Sequence, residues 1–337
     1  LRQVGLVALV VLERRGRLVG QLGEASAAYN LALASVKDDA QARTGLARVM
    51  AVQGDLPGAL KLADAVVAAA PGFAPAAMLK ADLQVALGDR AAALKTVDAG
   101  IQGDPKFVPL RLAKVSALID ANELDAAAKA IEEARPVAGG DLRLVYLEGL
   151  LAYRKGDNAK AAESTAAVLK AAPTFVPALA LMGALDLQAG RYAQAENNLR
   201  QVLSIAPAHT GARRLLVATY LRSSQPTKAS EALQPLVDSR QPQDPQILLL
   251  AGETYLATGD SQKAATYYQA AADAKADKSA AAARTRLGQI ALAGGNSDVG
   301  FRELEAASEL DPQQVQADLA LVTSHLRRKE YDKALAA

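Results

Sequence analysis

The 337-residue sequence contains no cysteine, no tryptophan and only two histidines. The absence of cysteine excludes disulfide bonds, thiolate catalysis and cysteine-ligated zinc within this sequence. The two histidines, His209 and His325, stand far apart. A glycine-rich nucleotide loop, a Gly-x-Ser-x-Gly elbow and a His-Glu-x-x-His pair are also missing. We therefore predict that the chain is not an enzyme, has no catalytic residue and holds neither a metal nor a cofactor.

The sequence also lacks an excess of charge of one sign. Its 38 basic and 36 acidic residues give a net charge of +2. This balance is too even to supply the general attraction to phosphate on which nucleic-acid binders depend. We therefore expect no nucleic acid among its partners.

Long hydrophobic runs are absent as well. The most apolar run, residues 6–12, is far shorter than the roughly 20 residues that span a bilayer, and arginines follow it, the wrong order for a signal peptide. We predict an ordinary helix there and no transmembrane segment in this chain. Because the sequence begins at Leu1 without methionine and stops at Ala337 within a helical pattern, we expect an excerpt of a longer protein, truncated at both ends.

What the sequence does contain is a repeated turn. Short turns recur at intervals of 34 to 36 residues, near Gly20, Gly54, Gly88, Asn122, Gly156, Gly190, Ser224, Gly259, Gly295 and Lys329. A nearly fixed period of this length is typical of arrays in which each unit stacks only on its neighbours. We therefore predict one continuous solenoid over residues 1–337 instead of two globular domains.

A column of small residues keeps the same phase as the turns. Five residues after each turn residue the sequence has Ala25, Ala59, Ala93, Ala127, Ala161, Ala195, Ala229, Ala264, Gly300 and Ala334. No side chain larger than a methyl group occurs in this column. The column therefore predicts the place in each unit where two helices touch.

Each unit has apolar residues at helical spacing on both sides of its turn, as in Leu46, Val49 and Met50 before Gly54. Many second helices are predicted to end at a proline, which has no amide hydrogen to donate, at Pro71, Pro105, Pro173, Pro207 and Pro312. Oxygen-bearing side chains that suit the cap of a following helix are Asp39, Asp141, Thr210 and Asp244. Each unit is thus predicted to be a helix-turn-helix.

These features together resemble the tetratricopeptide repeat family, whose units carry a small residue in the first helix, a turn, an alanine in the second helix and a closing proline. Gly149, Gly183, Gly252 and Gly288 match the small first-helix position. The resemblance covers essentially the whole sequence. It implies an all-α fold, a right-handed α-solenoid of about ten helix-turn-helix repeats.

A narrower resemblance is carried by residues 192–237, in particular 195–199, 212–222, 225–226 and 232–237. This stretch is similar to the PrsT-type tetratricopeptide proteins of PEP-CTERM/exosortase exopolysaccharide systems in bacteria. The resemblance implies an exported protein, often a lipoprotein, located in the periplasm or at the outer membrane. It also implies a scaffold for polysaccharide production or export, with the export machinery as a partner.

First helices of successive units line the concave side of such an array and present residues that the core does not need. The predicted partner-binding residues on that side are Arg143, Tyr146, Tyr153, Arg154, Arg214, Leu221 and Arg222. Arginine offers a planar fork for carboxylates and tyrosine a rigid face with a polar tip, so this mixture fits an acidic peptide or an acidic sugar polymer. The alternative is that the charged residues are merely solvated and the tyrosines pack between units.

The sequence therefore leads to one functional hypothesis and one alternative. The first is a noncatalytic protein-protein interaction scaffold that supports exopolysaccharide production or export, or the sorting of PEP-CTERM surface proteins. The alternative is the repeat arm of a larger cytosolic regulator or transferase.

Overall fold

The computed structural model describes residues 15–238, 244–274, 278–313 and 315–336, with only the backbone for residues 15–20. The helix predicted at residues 6–12 lies outside the described residues. Within the described ranges the chain forms nineteen α-helices and no β-strand. The predicted all-α repeat fold is confirmed. Its handedness and its continuity as one array stay predictions.

The helices group into two compact units, of which the first ends at Ala171 and the second begins at Ala172. The helices of unit 1 are α1 (Arg15–Ser35), α2 (Ala40–Val52), α3 (Leu56–Ala69), α4 (Ala74–Ala86), α5 (Arg90–Gly103), α6 (Val108–Asp120), α7 (Leu124–Ala138), α8 (Leu142–Arg154) and α9 (Asn158–Ala171).

The helices of unit 2 are α10 (Val176–Gln188), α11 (Tyr192–Ile205), α12 (Thr210–Arg222), α13 (Pro226–Val237), α14 (Pro245–Ala257), α15 (Ser261–Ala274), α16 (Lys278–Ala293), α17 (Ser297–Leu310), α18 (Val315–Arg327) and α19 (Tyr331–Ala336). From α2 onward, the even-numbered helices are the first helices of the repeats and the odd-numbered helices are the second helices.

Nine of the ten predicted turn residues adopt the left-handed backbone conformation that reverses the chain between two helices. They are Gly54, Gly88, Asn122, Gly156, Gly190, Ser224, Gly259, Gly295 and Lys329, with φ between 58° and 96°. Glycine has no Cβ to oppose this conformation, and asparagine tolerates it better than most residues. Ser224 and Lys329 adopt it without either advantage.

The residue after the turn often caps the second helix. Side-chain oxygens of Asp55, Asp89, Asp157, Asp260 and Asn296 accept a hydrogen bond from the amide three residues later, at 2.9–3.4 Å. Each bond satisfies one of the amides that the first helical turn leaves without an intrahelical partner. Turn and cap together start the second helix at a defined residue.

The turn predicted near Gly20 is wrong, because α1 runs through this residue without interruption. Gln21 follows Gly20, so no short capping side chain is available to begin a new helix. A single glycine inside a helix costs only about 1 kcal/mol, and the helix therefore continues. Ala25 accordingly lies inside α1 and is only half-buried.

The helix starts follow the predicted caps with one exception. Asp39, Asp141 and Asp244 each accept a hydrogen bond from a first-turn amide of the helix that follows. Thr210 was predicted to do the same before α12, but it is the first residue of that helix. His209 is the cap instead, because its Nδ1 accepts a hydrogen bond from the amide of Ala212 at 2.9 Å.

The column of small residues is buried wherever a turn precedes it. Ala59, Ala93, Ala127, Ala161, Ala195, Ala229, Ala264, Gly300 and Ala334 are all buried. The facing first helix contributes a small residue to the same crossing. A Cβ on Gly149 would lie 3.4 Å from the carbonyl oxygen of Ala161, and a Cβ on Gly288 would lie 2.9 Å from the carbonyl oxygen of Gly300. Small side chains thus let the two helices of a repeat approach closely.

Candidate binding surface of the first helices

Four of the predicted binding residues lie on α8 in unit 1. Arg143 is exposed, and its guanidinium is held by Asp141, the residue that caps α8, with Nη2 and Oδ2 2.5 Å apart. The hydrogen bond from Arg143 lowers the pKa of the Asp141 carboxyl below its ordinary value. Arg143 is therefore occupied by an intramolecular partner.

Tyr146 is a packing residue rather than an open binding residue. Its ring lies against the buried cluster that α6, α7 and α8 share, which includes Leu112 and Leu147. Burial, assisted by the charge of Asp120, raises the pKa of Tyr146 to about 12. Tyr153 is half-buried on the same helix, and Arg154 is exposed in its last turn.

The other three predicted residues lie on α12 in unit 2. The guanidinium of Arg214 donates a short hydrogen bond to the side chain of Gln246 and lies 3.7 Å from Asp244 Oδ2. It therefore connects α12 to the start of α14. Leu221 is half-buried and Arg222 is exposed at the end of α12.

Unit 2 contains a groove formed by three successive first helices, α12, α14 and α16. This Leu249 groove has a volume of about 660 Å³ and is lined by Gly211, Arg214, Leu215, Ala218, Gln246, Leu249, Leu250, Glu253, Lys278, Ser279 and Ala282. Of the predicted residues, only Arg214 lines it. The groove combines a leucine floor with a few charged and amide groups, which is the composition expected of a binding surface.

A second groove follows on α16 and α18. This Leu319 groove has a volume of about 580 Å³ and is lined by Arg286, Gln289, Leu292, Ala293, Gln316, Leu319, Ala320, Thr323, Ser324 and Arg327. None of these residues is among the partner-binding residues predicted from the sequence. Their position within the repeat could have identified them. Gln246 and Gln316 lie at the same distance in sequence before the turn residues Gly259 and Lys329. Leu249 and Leu319 also share one distance from these two turns.

Residues of the narrower sequence resemblance build a polar network between α11, α12 and α13. Glu196 accepts a hydrogen bond from the hydroxyl of Tyr220 at 3.0 Å, and Lys228 and Arg200 lie 3.9 Å and 3.6 Å from the same carboxylate oxygen. Burial, followed by the bond to Glu196, raises the pKa of Tyr220 to about 12. This network ties two consecutive repeats together.

Both histidines have structural partners. His209 caps α12 through Nδ1, and burial lowers its pKa. His325 Nδ1 lies 2.7 Å from Glu330 Oε2, and its ring stacks on Phe301 with centroids 4.4 Å apart. Across the part of the chain that the structure describes, no three His, Asp or Glu side chains are grouped in a way that could hold a metal ion.

Among the helices of the described ranges, none has both the length and the apolar character needed to cross a bilayer.

Comparison with protein families decides what kind of repeat this is. One tetratricopeptide repeat model matches residues 19–73, 112–174 and 285–337, which together make up half of the chain. The chain belongs to the tetratricopeptide repeat family. Two further models of the tetratricopeptide repeat match residues 186–251 and 245–278.

Solved structures with a similar fold include other tetratricopeptide proteins. A tetratricopeptide repeat protein from Parabacteroides merdae is 16% identical with a TM-score of 0.55, over 75% of this chain and 98% of that one. The APC/C hetero-tetramer Cut9-Hcn1 is 16% identical with a TM-score of 0.67, over 88% and 59%. The human IFIT1 dimer with m7Gppp-AAAA is 14% identical with a TM-score of 0.61, over 89% and 79%. At these identities the likeness shows the fold alone.

No curated protein matches the chain in sequence. Tetratricopeptide repeat proteins bind protein partners, and membership of the family indicates a protein-protein interaction scaffold. In unit 2, the Leu249 and Leu319 grooves lie on the first helices of its tetratricopeptide repeats.

Proposed function

We propose that the chain is a noncatalytic scaffold that holds a protein partner on the exposed face of its first helices. The observation that carries this proposal is the Leu249 groove, in which α12, α14 and α16 present leucines and polar groups side by side. Leu215, Leu249 and Leu250 are only half-buried there. Apolar surface left in contact with water at the centre of a groove favours association with a partner.

We further propose that the scaffold supports exopolysaccharide production or export, or PEP-CTERM surface-protein sorting, in the periplasm or at the outer membrane. The support for this assignment is the sequence pattern of residues 192–237. The same stretch contributes Glu196, Tyr220 and Lys228 to the network that ties α11, α12 and α13 together. The stretch that carries the sequence resemblance therefore includes side chains that join two consecutive repeats.

Site-specific photo-crosslinking in the native cell tests the binding face. A photoreactive amino acid replaces Glu253, an exposed residue of the Leu249 groove, and in the control it replaces Glu305, an exposed residue of the second helix α17. We expect a discrete crosslinked protein from position 253 and none from position 305. The same product from both positions, or none from either, would contradict the proposal.

Deletion and fractionation test the cellular role. We expect deletion of the gene to reduce exported polysaccharide or surface-sorted proteins, and the protein itself to appear in the envelope fraction. Recovery of the protein only in the cytosol, with both exports unchanged, would instead support the repeat arm of a cytosolic regulator or transferase.

A further inference from the structure

We propose that the first-helix surface of unit 2, from α12 to α18, binds an acidic protein segment in which Asp or Glu residues are interspersed with large apolar side chains. This inference rests on the proposed scaffold function and names the class of partner and the helices that bind it. Two independent properties of the surface carry it, its charge and its leucines.

Positive charge dominates the two grooves. The charged residues that line them are Arg214, Lys278, Arg286, Arg327 and the single carboxylate Glu253. Arg214 has Asp244 as a neighbour. Clustered positive charge attracts a complementary acidic partner and accelerates its association.

Three of these cations remain available to such a partner. Within the described ranges, Lys278 and Arg327 form no ion pair, and Arg286 donates a hydrogen bond to the neutral side chain of Gln289 at 3.1 Å. All three residues are exposed. Among the described residues of unit 2, no carboxylate therefore forms an ion pair with any of these three cations.

The leucines distinguish a polypeptide from an acidic sugar polymer. Leu249 and Leu250 are half-buried in the Leu249 groove, and Leu319 is 61% exposed in the Leu319 groove. Apolar side chains of a partner would remove this surface from water, which is favourable in proportion to the area covered. An acidic sugar polymer such as a polyuronic acid would bind the cations but would leave the leucines exposed to water.

The first helices of unit 1 offer a different surface. Arg143 is held by Asp141, and Arg48 lies close enough to Asp82 for its charge to oppose the rise in the pKa of that carboxyl. Arg143 and Arg48 of unit 1 thus lie beside carboxylates, whereas Lys278 and Arg327 of unit 2 form no ion pair with any residue that the structure describes. We therefore assign the acidic segment to unit 2.

Binding of three probes to the full chain tests the inference by fluorescence anisotropy. The probes are a labelled peptide in which glutamate pairs separate single leucines, the same peptide with serine in place of each leucine, and polygalacturonate. We expect the leucine peptide to bind at least about tenfold more tightly than either of the others. We also expect its affinity to fall as salt rises, because salt screens the charges.

Charge-reversal variants locate the site. The double variant Arg286→Glu and Arg327→Glu should weaken binding of the leucine peptide at least about tenfold. The matched control is Arg90→Glu, which replaces an exposed arginine at the start of second helix α5 in unit 1 and should leave the affinity unchanged. Because all three side chains are exposed, circular dichroism should show the helicity of the parent chain in each variant.

Three outcomes would overturn the inference. They are equal binding of the leucine and serine peptides, polygalacturonate binding as tightly as the leucine peptide, and an equal loss in the Arg90→Glu control. Failure of the leucine peptide to bind, together with a crosslinked protein from position 253, would refute this partner class and leave the scaffold function standing. Failure of both experiments would refute both proposals.

Discussion

Gly288 on α16 and Gly300 on α17 face each other across the crossing of the two helices. A Cβ on Gly288 would lie 2.9 Å from the carbonyl oxygen of Gly300, and a Cβ on Gly300 would lie 3.1 Å from the carbonyl oxygen of Gly288. The two backbones therefore approach more closely at this crossing than side chains would permit. Elsewhere in the array an alanine occupies the second-helix position, as Ala161 does opposite Gly149.

The substitution Gly288→Ala should destabilise unit 2. The added methyl group would lie 2.7 Å from Leu304 Cγ as well as against the carbonyl of Gly300, so backbone as well as side chain must move. We expect the free energy of unfolding in urea to fall by about 1 to 3 kcal/mol. The matched control is Gly23→Ala in α1, where a Cβ meets no atom within 4 Å. In this control the free energy of unfolding should rise by about 0.5 to 1 kcal/mol. Equal effects of the two substitutions would contradict the close approach of α16 and α17 at Gly288.

The substitution Ala161→Leu tests the alanine column at the crossing of α8 and α9. Ala161 is fully buried against Gly149, so a leucine side chain has no space and overpacks the interface. We expect a loss of about 1 to 3 kcal/mol in the free energy of unfolding. Ala166→Leu, at an exposed position of the same helix, should have almost no effect. An Ala161→Leu variant as stable as the parent would refute the assigned contact.

Local signals explain why most turns could be predicted from the sequence. Gly54 and the capping Asp55 are adjacent, and together they specify the turn and the helix start without help from distant residues. Gly20 is also a glycine, but no capping residue such as Asp55 follows it, and helix α1 continues through this position. Spacing alone therefore overestimated the number of turns, because the chemistry of the following residue also decides the outcome.

The binding surface was harder to predict, because its residues depend on packing between repeats. The pairing of Arg143 with Asp141 is local and could have been predicted from their proximity in the sequence. The packing of Tyr146 depends on α6, more than twenty residues away in sequence. Leu249 and Lys278 carry no distinctive chemistry of their own, and only the juxtaposition of α14 with α16 makes them groove residues.

Removal of the hydroxyl group from each of two buried tyrosines should change the free energy of unfolding in opposite directions. Tyr268 is fully buried in unit 2, and its hydroxyl has no hydrogen-bond partner within the described part of the chain. An unpaired buried hydroxyl costs about 1 to 3 kcal/mol, so Tyr268→Phe should raise the free energy of unfolding. Tyr220 is also buried, but its hydroxyl donates to Glu196, and Tyr220→Phe should lower the stability by about 1 kcal/mol. Destabilisation by both substitutions would show that the Tyr268 hydroxyl is satisfied in solution.

Asp82 on α4 should make the stability of unit 1 depend on pH. Burial raises the pKa of this carboxyl from 3.8 to about 6, against the opposing charge of Arg48. The folded state therefore holds the proton more tightly than the unfolded state. The resulting stabilisation is complete below the unfolded pKa of 3.8 and is lost as the pH rises through the folded value of about 6.

Asp82→Asn should remove this dependence, because the amide does not ionise at any of these pH values. Urea denaturation of both proteins at constant ionic strength, from below pH 3.8 to above about 6, measures the difference in their free energies of unfolding. We expect the variant to gain stability relative to the parent across this window, because only the parent must then bury a charged carboxylate. A difference that stays constant with pH would show that the Asp82 carboxyl is solvated in the folded protein.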